Sequence, residues 1–251
     1  LGTMKAIHGI ETVKVRVPAK NLPAELSGLR IVHISDLHIG PTIGKKFVQK
    51  IVSRVNDLKA DIIVFTGDIG DARVSDHHED SAPLAELKST HGSFYVPGNH
   101  EVYWNQEEWV QKFTSLGMRA LVNRGEKILH RGKEILIAGV PDPRSGMPWE
   151  TVKPIRENPE SVFRILLSHR PHVGEGIAAE DYDLILAGHT HGGQFFPWTL
   201  VAMLDHKYYV GLYKLKRGHI YVNPGTGSWG PLLRLGTTPE ITVLELQSSE
   251  E

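Results

Sequence analysis

Residues 29–58 read LRIVHISDLHIGPTIGKKFVQKIVSRVNDL. The run 29–34 is apolar enough for a buried strand, and it stops at Ser35-Asp36. After Gly40-Pro41, the residues Ile43, Phe47, Ile51, Val55 and Leu58 recur every three or four positions, the spacing of one helix face. Strand, polar loop and helix in succession form the unit from which α/β folds are built.

The pattern extends in both directions. Upstream, residues 12–17 alternate with Val13, Val15 and Val17 on one face, a half-buried strand that Pro18 and Pro23 are expected to break off. Downstream, a strand at 62–65 precedes Gly67-Asp68, a helix is expected over about 80–90, and a strand at 94–96 stops at Pro97-Gly98. A helix with Trp109, Phe113 and Leu116 on one side then ends at Gly117, a C-cap residue. Further strands are expected at 127–130, 134–139, 163–168, 183–187, 219–222 and 241–246. Strands alternate with helices early and cluster later, which predicts an α/β fold of two mixed sheets packed together with helices outside. No internal repeat, low-complexity tract or linker interrupts residues 1–251, so one domain is expected.

Composition narrows the chemistry. The 251 residues include no Cys, so disulfides, thiolate metal sites and a cysteine nucleophile are excluded, and any metal must be held by His, Asp, Glu or Asn. Lys and Arg total 28 against 29 acidic residues, a formal charge of −1 that gives no global basic excess for nucleic acid. Fourteen histidines are an unusual number, and histidine is the commonest metal ligand and general acid. No run approaches the roughly 20 apolar residues that span a bilayer, so the piece is expected to be soluble as given. Leu1-Gly2-Thr3 precede Met4, as a tag remnant or the tail of an upstream segment would, which leaves localisation open.

Ligand-type residues gather directly after apolar strands five times: Asp36-Leu37-His38, Gly67-Asp68, Gly98-Asn99-His100-Glu101, Ser168-His169 and Gly188-His189-Thr190-His191. Loops leaving the carboxyl ends of strands meet along one sheet edge, so these groups can converge. Each has an ordinary alternative: Asp36 and Asp68 as caps, Asn99 as a turn residue, His169 as a satisfied half-buried histidine. Five such accidents at successive strand ends are harder to accept than one metal site. Asp36/His38 and His189/His191 each flank one spacer, which on extended backbone turns both side chains to the same side.

In order and with every element present, these blocks resemble the signature of the calcineurin-like metallophosphoesterases, over about residues 29–223. The resemblance implies a four-layer sandwich of two mixed β-sheets flanked by helices. It also implies a first metal on Asp36, His38 and His191, a second on Asn99, His169 and His189, and Asp68 bridging them. Imidazole, carboxylate and amide oxygen suit Mn, Fe, Zn or Ni, with Mn expected in vitro. Two such ions would supply a bridging hydroxide for in-line attack on a phosphodiester or pyrophosphate bond. His100 would protonate the leaving group; its alternative role is to orient a metal ligand. The stretch Gly188-His189-Thr190-His191-Gly192-Gly193-Gln194, with the leader from Leu22 to Leu29, resembles a bacterial subgroup whose members often carry membrane segments or export signals. That subgroup is associated with phosphodiester or lipid-A-precursor pyrophosphate hydrolysis, of the UDP-diacylglucosamine pyrophosphatase kind. Membrane association or export of a longer protein is therefore an expectation too.

Outside the blocks, His77-His78 read as part of a solvated loop over 71–80, and Arg170 could reach a substrate phosphate or simply start a surface helix with His172. Residues 195–217 interleave Phe195, Phe196, Trp198, Tyr208, Tyr209 and Tyr213 with Lys207, Lys214, Lys216 and Arg217, a local charge of +3, and Trp229, Leu232, Leu233 and Arg234 continue the theme. Such a mixture suits contact with lipid headgroups or an amphiphilic phosphoester; aromatics filling a satellite core is the alternative. The arginines that phosphoprotein phosphatases of this superfamily carry after Gly-Asp and Asn-His are absent, which disfavours phosphoproteins, and no protein or nucleic-acid partner is indicated. A broad phosphomonoesterase and a non-catalytic scaffold are the rival functions. Scaffolds tend to lose ligands, whereas all seven positions and His100 are present.

Overall fold

The computed structural model describes residues 2–20, 22–149, 162–176 and 178–249; Leu1 lies outside them. Twelve strands are found among these residues. They are β1 (Glu11–Lys20), β2 (Arg30–Ile34), β3 (Ile62–Thr66), β4 (Ser93–Val96), β5 (Met118–Ala120), β6 (Arg124–His130), β7 (Lys133–Gly139), β8 (Phe163–Leu167), β9 (Leu184–Ala187), β10 (Gly211–Lys214), β11 (His219–Val222) and β12 (Glu240–Ser249). The helices are α1 (Gly2–His8), α2 (Lys45–Asp57), α3 (Val74–Ser81), α4 (Asn99–Tyr103), α5 (Gln106–Ser115), α6 (Ala178–Asp181) and α7 (Trp198–Asp205).

The strands form two six-stranded sheets, ordered β1-β12-β2-β3-β4-β5 and β10-β11-β9-β8-β7-β6. Both are mixed: β2 to β5 run parallel beside antiparallel β12, and β7, β8, β9 and β11 run parallel between antiparallel β6 and β10. Period-two alternation sends Ile31, Ile62, Val64, Phe94 and Val96 inward from one sheet to meet Ile135, Ile165, Leu167, Leu184 and Leu186 from the other, in one shared core. The outward residues Val32, Ile34, Ile63, Phe65 and Tyr95 pack under α2 and α5. Outside the second sheet, Val173, Tyr182, Tyr208 and Leu215 cover Leu166, Ile185 and Ile220, so that layer is made of short turns and loops rather than long helices.

Several local expectations need correction. Pro18 does not end the first strand, because β1 is an edge strand paired only with β12, where a residue without an N–H is tolerated. The helix expected over 80–90 starts earlier, at Val74, and passes into a 3-10 turn at Ala82–Glu86. The stretch carrying His77 and His78 is thus helical, with His77 Nδ1 2.8 Å from Asp80 Oδ2. Strands β5 and β10 and the one-turn helix α4 were not anticipated, since three to five residues carry no readable period. Among the described residues no helix is long and apolar enough to cross a membrane.

Candidate metal centre

All five ligand-bearing segments leave the same end of the paired sheets. Asp36 and His38 follow β2, Asp68 follows β3, Asn99 and His100 follow β4, His169 follows β8, and His189 and His191 follow β9. Close approach of these turns requires small residues. A Cβ on Gly188 would collide with Ser35 and the Asp36 carboxylate, and one on Gly67, which has φ +87°, would lie 2.6 Å from the Gly98 nitrogen.

The donor atoms gather in two tight groups, with a looser third combination of His38, Asp68 and His100 between them. In the first, His38 Nε2 and His191 Nε2 are 3.0 Å apart, and His191 Nε2 is 3.3 Å from Asp36 Oδ1. In the second, His169 Nε2 lies 3.1 Å from Asn99 Oδ1, 3.1 Å from His189 Nδ1 and 3.2 Å from Asp68 Oδ2. Asp68 Oδ2 is also 3.9 Å from His38 Nε2, so this carboxylate stands between the groups. Each group draws on both sheets. Atoms bound about 2.0–2.2 Å from one ion lie roughly 3 Å from each other, so these separations fit cations. Asp36 Oδ1 is buried with no hydrogen-bond partner, as an atom meant for an ion would be.

Electrostatics prepares the donors. Burial, reinforced by the neighbouring His169 and Arg170 charges, pushes the His189 imidazole down to about 2, and burial takes His191 down to about 4, so both stay neutral with lone pairs available. For His169, burial is outweighed by the Asp68 carboxylate and its pKa rises to about 10, so an ion bound at Nε2 would have to displace a proton and take its place beside Asp68. Asp36 and Asp68 are held well below the usual carboxylate range: histidine charges overcome the opposing effect of burial.

The backbone behind the ligands departs from expectation. Asp36, His38, Asp68, His189 and His191 all have left-handed φ, between 50° and 70°. Extended geometry therefore does not explain why each flanking pair shares a side; tight left-handed turns do. These conformations cost of order 1–3 kcal/mol per residue and are found where surrounding structure over-determines them.

Four residues beyond the candidate ligands organise the site. Glu101, fully buried, accepts four backbone N–H bonds at 2.6–2.9 Å, from Asp68, Ile69, Gly70 and Gly98. Burial and the Asp68 charge push its carboxyl up to about 7 against the pull of those amides. Asp71 Oδ1 is 2.5 Å from His100 Nδ1 and accepts from Trp104 Nε1, while its Oδ2 lies 3.3 Å from His38 Nδ1. Arg234, expected on an aromatic-basic surface, is instead completely buried and donates to the carbonyls of His191, Pro224, Gly225 and Gly227. Arg170, anchored on Asp142, reaches His189 Nε2 at 3.0 Å and Asn99 Oδ1 at 3.3 Å.

His100 stands on the rim. Its Nε2 is 4.0 Å from Asp68 Oδ2, farther than the 3.0–3.3 Å spacings inside the two groups, and its ring lines a cleft of about 960 Å³. The same cleft is walled by Tyr103, Trp104, Phe195, Trp198, Val201 and Trp229, with Asp205 and His206 beside them, so its surface is largely apolar away from the donor groups. The aromatic string divides: Tyr208 packs inside with the second sheet, whereas Phe196 and Trp198 are exposed.

Paired mixed sheets with Asp, Asn and His donors at their strand ends define an α/β protein with a candidate metal centre. Residues 29–193 match the family model described as calcineurin-like phosphoesterase, and the chain belongs to that family. It is 36% identical over 263 residues to a "Transmembrane protein with metallophosphoesterase domain" of Danio rerio, covering 99% of this chain and 60% of that one. It is 37% identical over 224 residues to an "Uncharacterized metallophosphoesterase" of Helicobacter pylori strain 26695, covering 87% and 60%. The chain thus spans about 60% of the length of these curated relatives. In fold it is similar to the Haemophilus influenzae NAD nucleotidase, with a TM-score of 0.50, 17% identity, and coverage of 89% of this chain and 57% of that one.

Proposed function

We propose that the chain is a dinuclear metal-dependent hydrolase of phosphodiester or pyrophosphate bonds whose substrate carries an apolar, lipid-like part. The observation that carries this reading is the pair of donor groups on either side of the Asp68 carboxylate, opening on a largely apolar cleft. Asp36, His38 and His191 would hold one ion, Asn99, His169 and His189 the other, with Asp68 between them. When bound, such a pair supplies Lewis acidity and water activation. The protein's own part is to orient and to move a proton. Arg170 presents a guanidinium beside the second group, where it can pair with a phosphoryl oxygen. Asp71 fixes the His100 ring through Nδ1 and leaves Nε2 to protonate the departing oxygen. The apolar walls would take the acyl or aromatic part of an amphiphilic substrate such as a lipid-linked diphosphate.

The test is metal analysis of the purified protein, then turnover on a phosphodiester and a phosphomonoester that share one leaving group. Two metals per chain and faster diester cleavage are expected. Faster monoester cleavage would favour a broad phosphomonoesterase, and one metal or fewer after reconstitution would overturn the dinuclear reading.

His100 also sets a pH dependence. Burial lowers its pKa, but the bond to Asp71 and the charges of Asp68, Asp71 and Glu101 outweigh it, and the net shift is upward from 6.5. A general acid works protonated, so activity should fall as pH rises through this raised value. Asp71→Asn is expected to move that alkaline limb to lower pH while leaving kcat below the limb largely intact. An unmoved limb in the kcat profile would assign it to another group.

A further inference from the structure

We propose that α7 is a bilayer-docking element that seats the mouth of the cleft against a phospholipid surface. The helix contributes no buried residue to the protein. Its side chains Trp198, Leu200, Val201, Met203 and Leu204 are all exposed, Leu204 to 85%. At 3.6 residues per turn these five cover an arc of about 220°, and only Thr199 and Ala202 turn inward. A groove on a partner protein receives one apolar stripe, a little over about 100° wide. An arc twice as wide suits a medium that surrounds the helix, which is what acyl chains provide.

The neighbourhood supports that occupant. Phe196 N donates to Leu235 O and Gln194 Nε2 to Trp229 O, so the segments bearing Phe196, Trp229 and Leu235, all more than half exposed, are held together next to α7. Tryptophan and phenylalanine at the edge of an apolar patch match the headgroup level of a bilayer. Of the nearby cations, Lys216 and Arg217 are engaged by Glu180 and Asp183, leaving exposed Lys207 and Lys214 against Asp205, a balance of one positive charge. Attraction to anionic lipid is therefore weak, and insertion of apolar side chains carries the binding. Trp198 and Val201 also line the cleft, so one helix borders both the bilayer and the catalytic space. Docking would let a lipid-tailed phosphoester enter laterally, a purpose that rests on the amphiphilic-substrate reading.

The experiment is cosedimentation of the whole chain with phosphatidylcholine vesicles, with and without phosphatidylglycerol. Comparable binding to both is expected. The double variant Leu200→Glu with Leu204→Glu should partition at least about tenfold less, because it places two charges in the apolar layer. Neither residue lines the cleft, so turnover on a small soluble nitrophenyl diester should be unchanged. The urea midpoint independently reports that the variant is folded, and vesicle binding can be scored whether or not the chain hydrolyses that ester. Wild-type protein remaining in the supernatant, or sedimentation that the double variant does not reduce, would overturn the proposal. Concentration-dependent self-association without vesicle binding, abolished by the same substitutions, would overturn it in favour of a second copy as the occupant.

Discussion

Replacing His100 by alanine is expected to lower kcat on a phosphodiester with a poor leaving group by roughly 10²–10⁴, the range supplied by a positioned general acid. A nitrophenol leaves without protonation, so the loss on a nitrophenyl ester should be much smaller. Metal content should be unchanged, because His100 Nε2 stands outside both tight donor groups and its Nδ1 is occupied by Asp71. That difference between leaving groups separates acid catalysis from ring placement. A residue that merely orients His38, its edge-to-face neighbour at 4.7 Å, would affect both substrates alike and would disturb metal loading. Equal losses on the two esters would therefore sink the acid assignment.

The largest effect on stability is expected at Glu101. Each carboxylate oxygen accepts two amides: Oε1 those of Ile69 and Gly70, Oε2 those of Asp68 and Gly98. Alanine would leave four buried N–H groups unpaired, at about 1–3 kcal/mol each before relaxation, so a loss of about 4 kcal/mol or more is expected. Glutamine is not a rescue. Its carbonyl can serve one pair, but its amide points donors at the other, and at least about 2 kcal/mol should still be lost. Urea denaturation with the metals chelated measures both. A midpoint for Glu101→Gln equal to that of the parent would show that the amides find other acceptors.

The fold and the site were legible to different depths. Runs such as 29–34 and 62–65 are apolar at every position because both of their faces are covered, and the spacing of Phe47, Ile51 and Val55 marks the buried side of α2. The candidate ligand types were legible because they recur after strands. The backbone that presents them was not: Asp and His tolerate left-handed φ better than most residues, so the letters fit a turn as well as a strand. Glu101 stood inside a recognisable motif, yet its work is done on amides 31–33 residues earlier as well as on Gly98, a closure visible only after β3 and β4 pair. Asp71 sits three residues after Asp68, a spacing that a search for a histidine-orienting carboxylate could have used. Arg234 was misread because its neighbours Leu232 and Leu233 suggested a surface, whereas the guanidinium gathers four carbonyls from turns that no local pattern announces.

The sharing of each donor group between the two sheets has a mechanical consequence. Asp36, His38, Asp68 and Asn99 follow strands of one sheet and His169, His189 and His191 follow strands of the other, so an ion in either group would be a rivet through the seam of the sandwich. The far end of that seam is closed by the shared apolar core and by polar contacts such as His91 Nε2 with His130 Nδ1 at 2.9 Å and Lys133 with Glu25 at 3.7 Å. Emptying the centre would leave the sheets joined at the core and free to gape at the strand ends, so occupancy and the stiffness of the cleft rise and fall together.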